Sequence, residues 1–154
     1  MQSMIIHMSS STARRPNAER LLRALPQAEL VEAVNGRDPA SIANVEALPG
    51  DLHRPRYPFA LRAAEIGVFE SHRRCWRRIV EAGWDFGLIA EDDLQVDPAR
   101  LDRALALIRD HASREMYIRL PVKQREKPVQ ILAQDGDLQF ALPRVIGLQC
   151  ICQV

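Results

Sequence analysis

The chain has 154 residues, 47% of them hydrophobic, which is enough for a single domain with a substantial core. Its 21 Lys and Arg residues nearly balance 20 Asp and Glu residues, which excludes a net field that would recruit nucleic acid or membrane lipid. Lysine occurs only at Lys123 and Lys127, so nearly all of the basic residues are arginines. The planar guanidinium group suits phosphate or carboxylate, so this excess is compatible with a phosphorylated ligand or simply with a GC-rich coding sequence.

The first part of the chain predicts the order strand, helix, strand. Residues 4–8 form a short apolar run that a polar Ser and Thr loop follows, as is typical of a strand end. Pro16 suits the first turn of a helix with one apolar face, and Pro26 ends that helix. Residues 28–34 predict a second strand, which an Asn-Gly pair terminates. This order is the opening of a sheet with crossover helices.

The longest predicted helix spans residues 61–82 and ends at Gly83. We expect its arginines to lie largely on the side opposite the sheet. The apolar residues at helical spacing, expected to pack on the sheet, are Ile66, Phe69, Trp76, Ile79 and Val80. Before this helix, residues 39–48 predict a short helix, and the proline-rich residues 49–60 predict a loop of the kind that is often functional or mobile.

The second half of the chain begins with an apolar strand at residues 86–90 and continues with a helix that Pro98 opens. The residues of that helix expected to face the core are Leu101, Leu105, Ile108 and Ala112. The remaining predicted strands are residues 116–120, a hairpin of residues 129–133 and 138–142 around an Asp-Gly turn, and a last apolar run at residues 145–154.

The chain stops inside that last apolar run, without a turn or a polar tail. We therefore expect residues 1–154 to be one domain that is a fragment of a longer protein. An unpaired strand edge at residues 145–154 also predicts self-association.

The three cysteines, Cys75, Cys150 and Cys152, are expected to be reduced, buried thiols of a cytoplasmic protein. Two of them lie two residues apart, so a metal-binding pair is geometrically open, but no further ligands support it. The chain shows no signal peptide and no apolar run near the roughly 18 residues of a spanning helix. We expect no transmembrane segment, and a location in the cytoplasm or peripheral at the inner membrane.

The strongest candidate site is the junction where the strand at residues 86–90 runs into Glu91, Asp92 and Asp93. Open α/β sheets bind ligands at the carboxyl ends of their strands, and adjacent carboxylates suit Mg²⁺ or Mn²⁺ shared with substrate phosphates. Three neighbouring like charges should either raise a carboxylate pKa or bind a cation. The alternative is a solvated acidic loop that caps the next helix.

Two further groups are candidates for the same cleft. Arg14 and Arg15 precede a helix start, where guanidinium groups and backbone donors can meet a phosphate, although a solvated loop is about as probable an interpretation. Glu65 and His72 lie seven residues apart on approximately the same helix face, but an ordinary helix histidine and an exposed glutamate explain them almost as well. Ser71 and His72 are adjacent and point about 100° apart, so they do not form a catalytic pair.

Four stretches together resemble glycosyltransferase family 25, the bacterial lipopolysaccharide sugar transferases related to collagen galactosyltransferases. They are residues 5–8 with Arg14 and Arg15, residues 32–38, residues 64–72 and residues 88–93. The order and spacing of these stretches agree with the family across most of the chain. Phe69 and Glu70 depart from its pattern, where smaller or apolar residues are expected before the Ser-His pair.

The resemblance implies a GT-A-like, Rossmann-related mixed sheet flanked by helices, here lacking its C-terminal part. It implies transfer of a hexose, galactose or glucose, from a UDP-sugar to a glycan or lipid-linked acceptor in surface polysaccharide synthesis, with inversion and assistance from Mn²⁺ or Mg²⁺. It places the metal at Asp92 and Asp93. The donor-binding residues it implies are Arg14, Arg15, Ala33, Val34, Asn35, Gly36, Glu65, Ser71, His72 and Glu91.

Two other functions stay open from the residues alone. One is a non-catalytic nucleotide-sugar-binding or protein-interaction module, left by truncation or degeneration of a transferase. The other is a different metal-dependent phosphoryl-group enzyme that uses the same acids.

Overall fold

The computed structural model of the protein describes residues 1–45, 61–120 and 127–143. Its elements in chain order are β1 (Gln2–His7), α1 (Arg15–Ala24), β2 (Ala28–Glu32), α2 (Pro39–Ile42), α3 (Ala63–Glu81), β3 (Gly87–Glu91), α4 (Pro98–His111), β4 (Pro128–Asp135) and β5 (Leu138–Pro143). The α/β class and the opening strand, helix, strand order are confirmed.

A three-stranded parallel sheet of order β2-β1-β3 forms the centre of the fold. Ile6 of β1 pairs with Val31 of β2 and with Glu91 of β3. All three strands therefore end level at one edge, and the polar segments that follow them meet there. The antiparallel pair β4 and β5 forms a separate sheet, so among the described residues the central sheet is parallel, and the mixed sheet that the resemblance implies stays a prediction.

The parallel sheet has an apolar cluster on each face, because side chains alternate along a strand. On one face Ile5 and Leu88 pack against Leu21 of α1 and Leu101 of α4. On the other face Met4, Ile6 and the fully buried Cys75 of α3 form the second cluster. Helices α1 and α4 thus cover one face of the sheet, and α3 covers the other.

Helix α3 packs through a different face from the predicted one. Its buried residues are Gly67, Glu70, Ser71, His72 and Cys75. Ile79 contacts the core as predicted, but Phe69 is 49% exposed, Val80 is 78% exposed and Trp76 is also exposed. The prediction for these three residues is wrong because the helix approaches β2 and the following turn so closely that small residues spaced four apart occupy the contact.

In the second half of the chain, α4 and the hairpin are confirmed. Leu101 and Ile108 are buried, and Gly136 turns the hairpin with a φ of 56°, a conformation that glycine adopts without strain. The predicted strand at residues 116–120 is wrong. Leu120 packs on the core, but among the described residues this segment pairs with no strand, and a strand requires a hydrogen-bonded neighbour.

Several predictions concern parts of the chain that lie outside the described residues. The predicted short helix is observed only as α2, Pro39–Ile42, and residues 46–48 of its predicted range are outside. The predicted loop at residues 49–60, the last apolar run at residues 145–154 and the cysteines Cys150 and Cys152 are outside as well.

Candidate functional site

A cleft of about 500 Å³ opens at the carboxyl edge of the parallel sheet, on the side of α3. The chain segments after β1 and β2, the start of α3 and the end of β3 line it. The predicted site residues among its lining are Arg14, Ala33, Val34, Asn35, Gly36, Ser71, His72, Glu91 and Asp92. The structure therefore brings most of the predicted site together at the predicted edge.

Asp92 is the most constrained residue of this edge and is only 5% exposed. Its Oδ2 lies 2.7 Å from Nδ1 of His7, and its Oδ1 accepts a hydrogen bond from Nη1 of Arg14 at 2.9 Å. The side-chain amide of Asn17 donates to the main-chain oxygens of Asp92, at 2.7 Å, and of Leu94, at 2.9 Å. Three different segments of the chain thus hold one carboxylate and its peptide.

Glu91 and Asp92 serve opposite faces of the sheet, although they are adjacent in sequence. Alternation along β3 turns Asp92 to the face that carries α1. Glu91 turns to the face that carries α3, where its Oε1 lies 3.3 Å from Nε2 of His72. The three neighbouring carboxylates therefore do not form one cluster. Arg14 compensates the negative charges of Asp92 and Asp93.

Asp93 projects away from the fold, with 55% of its side chain exposed, and its Oδ2 lies 3.3 Å from Nη2 of Arg14. The hydrogen bond to Asp92, together with the negative charges of Asp92 and Asp93, raises the pKa of Arg14 above its ordinary value. Arg14 thus bridges both aspartates, and half of its side chain faces solvent. It lines the cleft beside Asp92 and is one of two arginines there, the other being Arg37.

The side chains at this edge suit a divalent metal ion shared with substrate phosphates better than one held by protein ligands alone. Within residues 1–45, 61–120 and 127–143, no three His, Cys, Asp or Glu side chains lie close enough together to hold a metal ion. Each oxygen of Asp92 already has one hydrogen-bond partner, His7 or Arg14, which leaves one lone pair on each oxygen for a further contact. Asp93 is accessible, and Mg²⁺ is commonly held by one or two carboxylates together with substrate phosphates and water. The residues fit this mode, in which a metal ion is shared between a carboxylate, phosphates and water.

Ser71 shapes the wall of the cleft through the backbone. Its Oγ accepts a hydrogen bond from the backbone N–H of Val34 at 2.8 Å and donates to the carbonyl of Gly67 at 2.7 Å. Gly67 and Gly36 face each other so closely that a Cβ on Gly67 would lie 2.7 Å from the nitrogen of Gly36. The Val34 to Gly36 turn is therefore fixed directly against α3.

Three predicted residues, Asp93 among them, lie apart from the cleft lining. Arg15 is exposed and pairs with Glu19, four residues on, at 2.8 Å. Glu65 accepts a hydrogen bond from the backbone N–H of Arg62 at 2.7 Å, at the start of α3. Seven helical residues span roughly 10 Å, so Glu65 shares a face with His72 but lies about two turns away.

His7 and Asn17 belong to the site, although neither is among the site residues predicted from the sequence. The signal for His7 is its place as the last residue of the central strand, one residue beyond the pairing of Ile6 with Glu91. Asn17 lies in the first turn of α1, a position that more often indicates helix capping than contact with a distant turn. Only the packing of α1 on the sheet brings it to Asp92.

A parallel α/β sheet with a polar cleft at its carboxyl edge is an arrangement that holds nucleotides and related ligands. The sequence model of glycosyltransferase family 25 (LPS biosynthesis protein) matches residues 1–133. The chain belongs to this family, as the resemblance indicates.

Among curated proteins, procollagen galactosyltransferase 2 of Homo sapiens is 30% identical over 163 residues, covering 94% of this chain and 26% of the relative. Procollagen galactosyltransferase 1 of Danio rerio is 29% identical, covering 80% of this chain and 23% of the relative. A glycosyltransferase 25 family member of Drosophila pseudoobscura pseudoobscura is 33% identical over 99 residues, 61% of this chain and 16% of the relative. The chain thus spans about a quarter or less of the length of these relatives.

No solved structure matches the chain. In the part of the chain that the structure describes, none of the helices combines the length and the apolar character needed to cross a bilayer.

Proposed function

We propose that the chain is the donor-binding region of a metal-assisted, inverting glycosyltransferase. It transfers a hexose, galactose or glucose, from a UDP-sugar to a glycan or lipid-linked acceptor in lipopolysaccharide or surface polysaccharide synthesis. The observation that carries this proposal is the cleft at the sheet edge, which Arg14 and Asp92 line and beside which Asp93 pairs with Arg14 at the end of the acidic motif. The proposed fold is GT-A-like, and the proposed location is the cytoplasm or the inner membrane periphery.

The neighbouring opposite charges account for recognition of a diphosphate. The guanidinium of Arg14 presents a planar fork to phosphate oxygens and is half exposed. The hydroxyls of Ser10 and Ser11 line the same wall and can donate to an oxyanion. Across the cleft, the Asn35 and Gly36 turn lines the wall and offers backbone groups to the nucleoside.

Asp93 would be the principal ligand of a bound Mn²⁺ or Mg²⁺, with Asp92 and the donor's phosphates as the other groups that could hold it. Such an ion supplies charge neutralisation at the departing diphosphate. Arg14 adds a second positive charge at the same place, and His72 with Glu91 forms the polar wall on the α3 side. These residues bind and orient the donor for attack by an acceptor hydroxyl.

Isothermal titration of UDP-galactose and UDP-glucose, with and without Mn²⁺, tests donor binding. We expect metal-dependent heat from the native chain and a loss of affinity of about tenfold or more in Asp93→Ala, since a ligand of the ion is removed. The matched control is Asp85→Ala. Asp85 is an exposed aspartate just before β3, at the opposite end of the strand, and pairs with Arg114 at 3.1 Å. It should leave binding unchanged.

The absence of heat from the native chain with every donor would contradict the proposal. If Asp93→Ala binds the donor as well as the native chain does, the metal-binding part of the proposal is wrong. Incubation with a radiolabelled UDP-sugar and an acceptor glycan then measures release of UDP. Donor binding without transfer would identify the alternative, a non-catalytic nucleotide-sugar-binding module.

A further inference from the structure

His7 holds the acidic turn from behind the cleft. It is 3% exposed, it ends the central strand, and its Nδ1 lies 2.7 Å from Oδ2 of Asp92. The residues before and after it, Ile6 and Met8, line the cleft, because alternation along the strand turns His7 to the other face. Its effect on a ligand in the cleft must therefore pass through Asp92.

The two ring nitrogens of His7 have different surroundings, and this difference determines the tautomer. A carboxylate only accepts hydrogen bonds, so Nδ1 must carry the proton that it donates to Asp92. Nε2 is buried and has no hydrogen-bond partner among the described residues. A proton on Nε2 would be a buried donor without an acceptor, which is unfavourable. The neutral Nδ1–H tautomer meets both conditions.

Asn17 completes the arrangement on the backbone. Its amide donates to the carbonyls of residues 92 and 94, which lie on either side of Asp93. The carbonyls of Asp92 and Leu94 are thus tied to α1, and the carboxylate of Asp92 is tied to β1. The side chain of Asp93 projects from this fixed turn and pairs with Arg14.

We propose that His7, as the Nδ1–H tautomer, together with Asn17, positions the acidic turn so that Arg14 and its partner Asp93 lie beside the cleft in binding geometry. His7 is a positioning residue in this proposal, since it touches Asp92 and lies away from the cleft. The proposal rests on the function proposed above, because it assigns Asp93 to the metal and the diphosphate. Hydrogen-bonded partners behind a metal ligand typically change metal affinity by about 10-fold to 100-fold when removed.

The experiment compares two substitutions of His7 in the full chain. His7→Leu removes the donor and keeps an apolar side chain, and we expect Mn²⁺-dependent UDP affinity to fall about tenfold or more. His7→Asn places an amide N–H near the position of Nδ1, and it should restore most of that affinity. Asn17→Ala should resemble His7→Leu.

The matched control is Ser3→Ala. Ser3 lies on the same face of β1, is fully buried and donates a hydrogen bond from its Oγ to the carbonyl of Pro26 at 2.6 Å. It has no contact with the acidic turn among the hydrogen bonds of the structure, so its removal should lower the denaturation midpoint but leave UDP affinity unchanged. A purely structural role for His7 predicts the same behaviour in His7→Leu.

A ¹⁵N NMR spectrum of the imidazole tests the tautomer without any ligand and in the native chain. A protonated Nδ1 and an unprotonated Nε2 support the proposal, and the opposite tautomer overturns it. Unchanged affinity in His7→Leu, or no recovery in His7→Asn, also overturns it. If the native chain binds no UDP, the proposed function and the positioning role both fail. If the native chain binds UDP and His7→Leu binds it equally well, only the positioning role fails.

Discussion

Replacement of Gly67 by alanine gives a prediction in which the two physical effects have opposite signs. Gly67 lies inside α3, where alanine is normally favoured over glycine by about 1 kcal/mol. An added Cβ would lie 2.7 Å from the carbonyl oxygen of Val34 and 2.9 Å from the Cα of Gly36. Both are backbone atoms, so no flexible side chain can rotate away to make room.

The steric effect should be larger than the helix propensity. Overpacking of a close contact costs about 1–3 kcal/mol, and the rigid neighbours of Gly67 place it near the upper value. Subtracting the gain in propensity leaves a net destabilisation of about 2 kcal/mol. For a chain of this length that lowers the melting temperature by about 4–8 °C. The Val34 to Gly36 turn should also shift, which weakens UDP-sugar binding at the cleft.

Thermal unfolding of Gly67→Ala, monitored by circular dichroism, measures the loss of stability. Titration with UDP measures the weaker binding at the cleft. The control is Gly83→Ala. Gly83 has a φ of 65° and no atom within 4 Å of an added Cβ, so alanine there costs about 1–2 kcal/mol through the left-handed backbone conformation alone. Its donor binding should stay as in the native chain. A Gly67→Ala protein that melts higher than the native one would refute the close approach of α3 to the turn.

Three further predictions concern the packing of α3. Ser71→Ala leaves the buried N–H of Val34 without its acceptor and should cost about 1–3 kcal/mol in urea unfolding, and an unchanged midpoint would contradict the hydrogen bond. Ile79→Ala should be clearly destabilising in the same assay, whereas Val80→Ala should stay within about 0.5 kcal/mol, and a loss for Val80→Ala as large as that for Ile79→Ala would contradict the exposure of Val80. Burial raises the pKa of Cys75 from 9.0 to about 11, so the stability it contributes is complete below pH 9 and falls as the pH rises towards 11. In a chain with Ser at the other two cysteines, iodoacetamide at pH 8 should label Cys75 only on unfolding, and rapid labelling of the folded protein would count against this burial.

The sequence predicts the sheet edge well because its signals are local. An apolar run of strand length followed by acids indicates a strand end, and Pro16 and Pro98 mark helix starts, which α1 and α4 confirm. The short hairpin with Asp135 and Gly136 is also local, since Gly136 supplies the positive φ of the turn. Each of these sequence signals depends only on residues that are close together in the chain.

The helix face of α3 could not be predicted in this way. Apolar periodicity assigns Phe69, Trp76 and Val80 to the core, because large apolar side chains usually gain most from burial. In this fold, a glycine opposite a glycine decides the contact, through Gly67 and Gly36. A stripe of small residues gives little hydrophobic signal, and its meaning depends on a partner more than thirty residues away in sequence.

The acidic motif shows most clearly how a sequence pattern and a site can differ. Glu91, Asp92 and Asp93 look like one cluster of charge, yet β-strand alternation sends the first two to opposite faces of the sheet. Asp92 is buried against His7 and Arg14, and Glu91 lies beside His72. The residue left for a ligand is Asp93, which projects into solvent. A carboxylate motif at a strand end is therefore better interpreted residue by residue, because here Asp92 anchors the turn while Asp93 pairs with Arg14 and faces solvent.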